Sequence, residues 1–146
     1  MVDPRHQARE LVLQALYEMD VAGHEPRGAL QRLIDEESLP DTPAAFARQL
    51  LGGVLDHRSE IDVVIEQTAP LWPAEQLAPI DRNVLRLAIR EFLIDNLTPV
   101  RAAINEAVEL AKAYGSDNSP RFVNGVLGSL SATGNPQTAP KQEDSL

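Results

Sequence analysis

The chain has no cysteine, which excludes a disulfide framework, a thiolate metal site and a cysteine nucleophile. Histidine is scarce too: three residues, at positions 6, 24 and 57, are too scattered for a histidine-rich metal set, so neither a metal nor another cofactor is expected. No apolar run approaches the roughly 18 residues that a membrane helix needs. The opening stretch from Met1 to Glu10 is polar and charged, without the apolar core of a secretory signal. A soluble, cytoplasmic protein is expected. Positive charge is the other shortage, with 13 Lys and Arg against 22 Asp and Glu and a formal net charge of −9. Non-specific nucleic-acid binding draws on net positive charge, so a general nucleic-acid coat is excluded and any such site must be local.

The acid is not evenly spread. Residues 18–75 carry twelve acidic and four basic side chains, whereas residues 1–17 carry two of each and residues 76–146 carry eight acidic and seven basic. An anion can therefore meet the first segment or the last third without crossing a strongly repulsive field.

What is present is helical period. Asp3-Pro4 supplies a cap and a first-turn proline, and Ala8, Leu11, Val12, Ala15, Leu16 and Met19 then recur at three- and four-residue steps up to Gly23. Ala29, Leu30, Leu33 and Ile34 predict a shorter helix stopped by Leu39-Pro40. Thr42-Pro43 repeats the opening device before a long stripe, Phe46, Leu50, Val54, Ile61 and Ile65, which Gly52-Gly53 is expected to kink or to open to a close neighbour. Pro70, Pro73 and Pro79 mark a connector around the single Trp72. Asp81 is expected to cap the next helix, with Ile80 and Leu85 as a staple and Ala88, Ile89, Phe92 and Leu93 buried. Thr98-Pro99 opens a helix with the inner stripe Val100, Ala103, Ile104, Ala107, Val108, Ala111 and Tyr114, closed by a left-handed Gly115. Ser119-Pro120 opens the last one through Phe122, Val123, Val126, Leu127 and Leu130. Asn124-Gly125 also has the form of a hairpin turn, but its flanking apolar runs are too short to hold a strand pair. Residues 1–130 are expected to form one all-α domain, and the polar stretch 131–146 a disordered tail.

Candidate chemistry is sparse. Asp56-His57 and the His6–Glu10 pair at i, i+4 are read as helix-surface histidines beside carboxylates, because no third group is placed around either. There is no phosphate-cradling glycine loop, no GxSxG elbow and no HExxH, so no catalytic residue and no enzyme is expected. Single-stranded RNA suits three features better. Arg5, His6, Gln7 and Arg9 crowd the exposed side and N-terminal end of the first helix, where guanidinium forks and backbone N–H groups can meet phosphate. Tyr114 and Phe122 flank a polar loop carrying Asn118, with rings to stack on bases and an amide to read their edges. Arg82, Arg86 and Arg90 form an i, i+4, i+8 row, read as a solvated face paired with Glu91 and Asp95.

Three blocks of sequence carry a resemblance. The run from Ala103 to Lys112 (AINEAVELAK), then Tyr114-Gly115, Ser119 and Phe122 to Leu127 (FVNGVL), resembles the C-terminal signature of the NusB transcription antitermination family. Arg5 to Glu10 with Leu13 to Tyr17, and Ile80 to Ala88, are similar to its N-terminal and middle segments, so the likeness runs from about residue 4 to residue 130. It implies an all-α fold of about seven helices in two three-helix bundles packed roughly crosswise. It also implies a non-catalytic function: binding the boxA element of ribosomal RNA leader transcripts together with NusE, a small ribosomal protein, and joining elongating RNA polymerase with other Nus factors to suppress termination. By the same resemblance FVNGVL is helical, with Gly125 and Gly128 serving close helix packing. The RNA side is then Arg5, His6, Gln7, Arg9, Tyr114, Asn118 and Phe122, and the protein-partner side Tyr17 and Asp81.

This chain departs from the family's pattern in two places. His6 and Gln7 stand where the family carries a denser arginine run, so RNA affinity is expected to gain as His6 protonates. Position 118 is often acidic in the family and is Asn here, which removes a repulsive charge and adds an amide donor. The rival readings are a helical adaptor that binds only protein, and a relative of the RNA-binding module of ribosomal RNA cytosine methyltransferases, whose large cofactor-binding domain is not expected after this polar tail. A small hydrolase is the weakest alternative, and a homodimer is open.

Overall fold

The computed structural model describes residues 4–70, 76–95 and 98–133, and the described residues form seven helices and no strand. These are α1 (Pro4–Ala22), α2 (Pro26–Glu37), α3 (Asp41–Asp56), α4 (Arg58–Thr68), α5 (Pro79–Ile89, continued by a π-helical turn Arg90–Ile94), α6 (Val100–Tyr114) and α7 (Ser119–Thr133). Most of the residues in the apolar stripes read from the sequence lie on the buried faces of these helices, the long stripe being divided between α3 and α4. Helix α1 packs on α2 and α3 to make one bundle, α5 packs on α6 and α7 to make the other, and α1 against α5 joins the two. One continuous core results, with Leu13 and Leu16 from α1, Leu51 from α3, Leu85 from α5, Leu110 from α6 and Leu127 from α7 all fully buried.

The helix ends differ from expectation in an instructive way. Prolines do mark the starts, but Pro40 and Pro99 occupy the cap positions of α3 and α6 and no side chain caps either helix. Thr98, expected as a cap, instead donates its hydroxyl to Glu91 Oε1 at 2.8 Å. Asp81 is not the cap of α5: Ala78 is, and Asp81 lies inside the first turn, where its charge still suits the helix dipole. The side-chain cap that does form is Glu25 on α2, accepting from Gly28 N at 2.7 Å and Arg27 N at 3.0 Å. Before it, Gly23 turns the chain at a φ of 72°, a conformation that favours glycine.

The long stripe breaks at His57, between α3 and α4, not at Gly52-Gly53. Gly53 serves the other purpose foreseen for the pair, because the Arg90 guanidinium lies across it and a Cβ there would come 2.2 Å from Arg90 Nε. Gly115 is extended, at φ −96°, rather than left-handed. Asn124-Gly125 is helical, and neither Gly125 nor Gly128 is closely approached, since a Cβ at either would meet nothing within 4 Å among the described residues. Close helix packing is therefore not what those two glycines serve here. Val100 and Tyr114, expected on the inner stripe of α6, are its first and last residues and are 40% and 37% exposed. Ser131 continues α7 and so does not begin a tail. Asp3, Trp72, Pro73 and the stretch after residue 133 lie outside the described residues.

The π-helical turn continues the buried run of α5: Asn83 to Ile89 are all buried, and so are Glu91, Phe92 and Leu93. Glu91 is thereby placed against Arg9 of α1.

Candidate nucleic-acid interface

Four of the expected RNA residues lie on the first two turns of α1, and the structure divides them. Arg5 is exposed and His6 and Gln7 are half-buried. Arg9 is not on the exposed side at all: it is only 4% exposed and donates Nε and Nη2 to the two oxygens of Glu91, each at 2.8 Å, while Nη1 lies 3.4 Å from Glu106. A charge this buried needs a hydrogen-bonded partner, and Glu91, equally buried, is that partner. Both Arg5 and Arg9 place their guanidinium carbons over the ring of Phe46 from α3, at 4.8 and 5.3 Å from its centroid.

His6 donates Nδ1 to Glu106 Oε1 at 2.7 Å, and its Nε2 is 3.6 Å from Glu10. The hydrogen bond to Glu106 raises the imidazole above its ordinary value of 6.5, with the charges of Glu106 and Glu10 adding to it against partial burial and the nearby Arg9. A proton taken up here strengthens the α1–α6 contact first. A raised folded-state value means that this stabilisation is complete below the unfolded value and is lost as pH rises through the folded one. His6→Gln is therefore expected to lower stability by no more than about 1 kcal/mol at pH 6, because the pair still sees water, and to have almost no effect at pH 9. Urea midpoints of the two proteins at both pH values check this, and equal differences at pH 6 and 9 would refute it.

A cleft of about 380 Å³ opens between the start of α1 and the first half of α6, lined by Arg5, Arg9, Thr98, Pro99, Ala102, Asn105 and Glu106. A second, lined by Pro4, Arg5, Thr42, Pro43, Ala45, Phe46 and Gln49, lies on the α3 side. Arg5 belongs to both. Phe46 and Asn105 were not singled out from the sequence as site residues, Phe46 because its spacing placed it in a core stripe and Asn105 because nothing local marked it.

Tyr114 and Phe122 do not line a common pocket. Tyr114, at the end of α6, shares a groove with Leu13, Gln14, Tyr17, Glu18 and Ile80, its phenol raised by burial and by the charge of Glu10. Phe122, half-buried, faces a groove between the end of α4 and α7, with Arg121, Gly125 and Ser129. Asn118 is exposed on the loop between them. Tyr17, 39% exposed, thus meets Tyr114 in one groove, so the expected RNA and partner sides adjoin. Asp81 is near by on α5, where its carboxylate accepts from Ser119 Oγ at 2.5 Å, and Ser119 Oγ in turn accepts from Ser116 N at 2.9 Å. That chain of bonds ties the α6–α7 loop to α5.

The arginine row of α5 is not a solvated face. Arg82 donates to Asp20 at 3.0 Å, Arg86 forms a bidentate pair with Asp62 at 2.9 Å and reaches Asp20 at 3.2 Å, and Arg90 pairs with Asp95 at 2.6 Å. Only Asp95 was foreseen as a partner. Arg90 also donates Nη1 to His57 Nδ1 at 2.8 Å, which occupies the nitrogen that a general base there would use. Among the described residues, no group of His, Asp and Glu is arranged to hold a metal ion, and no helix is long and apolar enough to cross a membrane.

Comparison with known proteins fits this arrangement. Two proteins named transcription antitermination protein NusB are close in sequence. That of Dehalococcoides mccartyi is 50% identical over 131 residues, covering 90% of this chain and 92% of that one. That of Roseiflexus castenholzii is 48% identical over 132 residues, covering 89% and 93%. Among solved structures, T. maritima NusB matches with a TM-score of 0.84 at 33% identity, covering all of both chains. A chain of the crystal structure of antitermination factors NusB and NusE in complex with double-stranded RNA matches at 0.79 and 27% identity, covering 88% of this chain and 96% of that one. The sequence profile of the NusB family covers residues 6–132. With about half of the aligned residues identical to such relatives and the family profile matching most of its length, the chain belongs to the NusB family.

Proposed function

We propose that this protein is a cytoplasmic transcription antitermination factor that binds the boxA element of ribosomal RNA leader transcripts together with NusE and joins elongating RNA polymerase to suppress termination, acting by binding rather than catalysis. The observation that carries the reading is the match, over nearly the whole chain, to a protein solved with NusE and RNA. The surface agrees with it. Arg5 between two clefts supplies a local cation on a chain of net charge −9, and the Tyr17–Tyr114 groove brings the two binding faces together. RNA and NusE then each meet a composite surface and tighten one another's binding. The acidic excess of residues 18–75 keeps the protein from coating arbitrary RNA.

Fluorescence anisotropy of a boxA RNA against a scrambled one, with and without NusE and over a salt series, tests the reading. Preference for boxA, tightening by NusE and a fall of log K with log salt of roughly 0.7 per phosphate contact support it. No binding of either RNA even with NusE present would leave a protein-only adaptor. Within the same assay, Asn118→Asp is expected to weaken boxA binding by roughly 3- to 10-fold at 0.1 M salt, since it exchanges an exposed amide donor for a charge that repels phosphate. Equal affinity at matched salt would remove Asn118 from the site.

A further inference from the structure

The loop that carries Asn118 is a four-residue turn clamped at both ends by Ser119. Ser119 donates its backbone N–H to Ser116 O at 3.0 Å, and its Oγ accepts from Ser116 N at 2.9 Å, so that Asp117 and Asn118 hold the two central positions, both exposed. Ser119 itself is only 2% exposed. A hydroxyl has one proton, and here it goes to Asp81 on α5 at 2.5 Å. That leaves both lone pairs of Ser119 Oγ to accept, one from Ser116 N and the other from the Ser116 hydroxyl 3.2 Å away. The carboxylate thus sets the direction of the whole chain of bonds. Without an acceptor at position 81, the Ser119 proton would turn toward Ser116 and compete with the bonds it now receives. The approach is close enough to need a glycine before the turn, since a Cβ at Gly115 would come 2.5 Å from Ser119 Oγ and 2.9 Å from Ala111 O.

The two exposed side chains of this turn are of opposite use to an unpaired strand. Asp117 carries a charge that repels phosphate, whereas the Asn118 amide can read a base edge without that cost. From this geometry we propose that Asp81 is a positioning residue for RNA binding and not a contact of the protein partner: through the Ser119 hydroxyl its carboxylate holds the turn 116–119 in the form that presents Asn118, rather than Asp117, to an unpaired base. The inference rests on the RNA-binding reading above and adds to it what fixes the reading amide.

The test is a double-mutant cycle in full-length protein, read by anisotropy of a single-stranded boxA oligonucleotide with NusE at saturation. Asp81→Ala and Ser119→Ala break the chain of bonds from its two ends, and each is expected to weaken RNA binding about 2- to 5-fold, the worth of one hydrogen bond. In an Asn118→Ala background neither should cost anything further. Asp81→Asn, which keeps an acceptor oxygen for the Ser119 hydroxyl, should recover most of the binding. NusE binding measured without RNA should be the same in all of these proteins. In the free protein the Ser116 amide should exchange with solvent faster in the two alanine variants than in the parent. If Asp81→Ala does not fold, Ser119→Ala carries the same cycle. An equal loss with and without the Asn118 amide overturns the assignment. So does a loss of NusE binding from Asp81→Ala and Asp81→Asn with none from Ser119→Ala, which would make Asp81 a partner contact, and RNA binding by the parent stands in both cases. A parent protein that binds no RNA overturns the inference together with the reading beneath it, and the Ser116 exchange rate then still reports whether the chain of bonds exists.

Discussion

Arg9→Ala is expected to destabilise the protein by about 3–5 kcal/mol, because it leaves Glu91 buried without its cation. The geometry makes the loss unusually complete. Glu91 is 4% exposed and, among the described residues, keeps the Thr98 hydroxyl at 2.8 Å, a neutral donor in place of a bidentate guanidinium. Removing both charges should do less harm than removing one, since a buried ion pair contributes little over well-packed neutral groups of similar size. Arg9→Met combined with Glu91→Gln retains an acceptor for Thr98 and should recover at least half of the lost stability. Urea denaturation followed by circular dichroism measures both. If the double variant is no more stable than Arg9→Ala, packing rather than charge is what Arg9 supplies. Such a variant also bears on function, because Arg9 and His6 both engage Glu106 and so set how α1 meets α6 at the candidate interface.

Arg86→Ala is the second large effect, expected at about 2–4 kcal/mol, as hydrogen bonds to charged groups are lost and a buried amide is orphaned. Arg86, 6% exposed, binds three helices at once: Asp62 on α4 through a bidentate pair, Asp20 near the end of α1, and Asn83 Oδ1 one turn back on α5 at 2.9 Å. Asp20 would still be held by Arg82 at 3.0 Å and by Asn83 Nδ2 at 2.9 Å, and Asp62 is partly solvated, which keeps the cost below that of Arg9. Asn83 is fully buried and would lose the donor to its carbonyl oxygen. Arg86→Lys is expected to recover less than half, because an ammonium on a flexible stem cannot bridge Asp62 bidentately and also reach Asn83. The thermal midpoints of the three proteins decide it, and a lysine variant as stable as the parent would show that charge alone is enough.

Both effects concern polar residues that local pattern misplaced. Arg9 lies between Ala8 and Glu10, and nothing within one helical turn announces a partner 82 residues away in Glu91. Arg82, Arg86 and Arg90 carry helical spacing and have acids close by in sequence, so a solvated row is the local expectation; Asp20, 66 residues before Arg86, decides otherwise. The same limit separated Tyr114 from Phe122. Eight positions apart across a loop, they can flank one site, but Tyr114 at the end of α6 lies beside α1, whereas Phe122 on α7 lies beside the end of α4.

The apolar half of the problem was legible in the chain alone. Residues recurring every three or four positions can be buried together only on a helix, and prolines that tolerate a first turn mark where every helix but α4 begins. Those two signals were enough for six helical segments, an all-α domain and the assignment of Leu11, Leu16 and Leu127 to its core, with the seventh helix appearing where the long stripe breaks. Only the tertiary structure decided which charges are buried, that Phe46 lies beneath the guanidiniums of Arg5 and Arg9, and that the break in the long helix falls at His57. The physical reason is one of range. Apolar burial is non-directional and shows in local period, whereas an ion pair or a stack needs two particular groups brought within a few ångströms from distant parts of the chain.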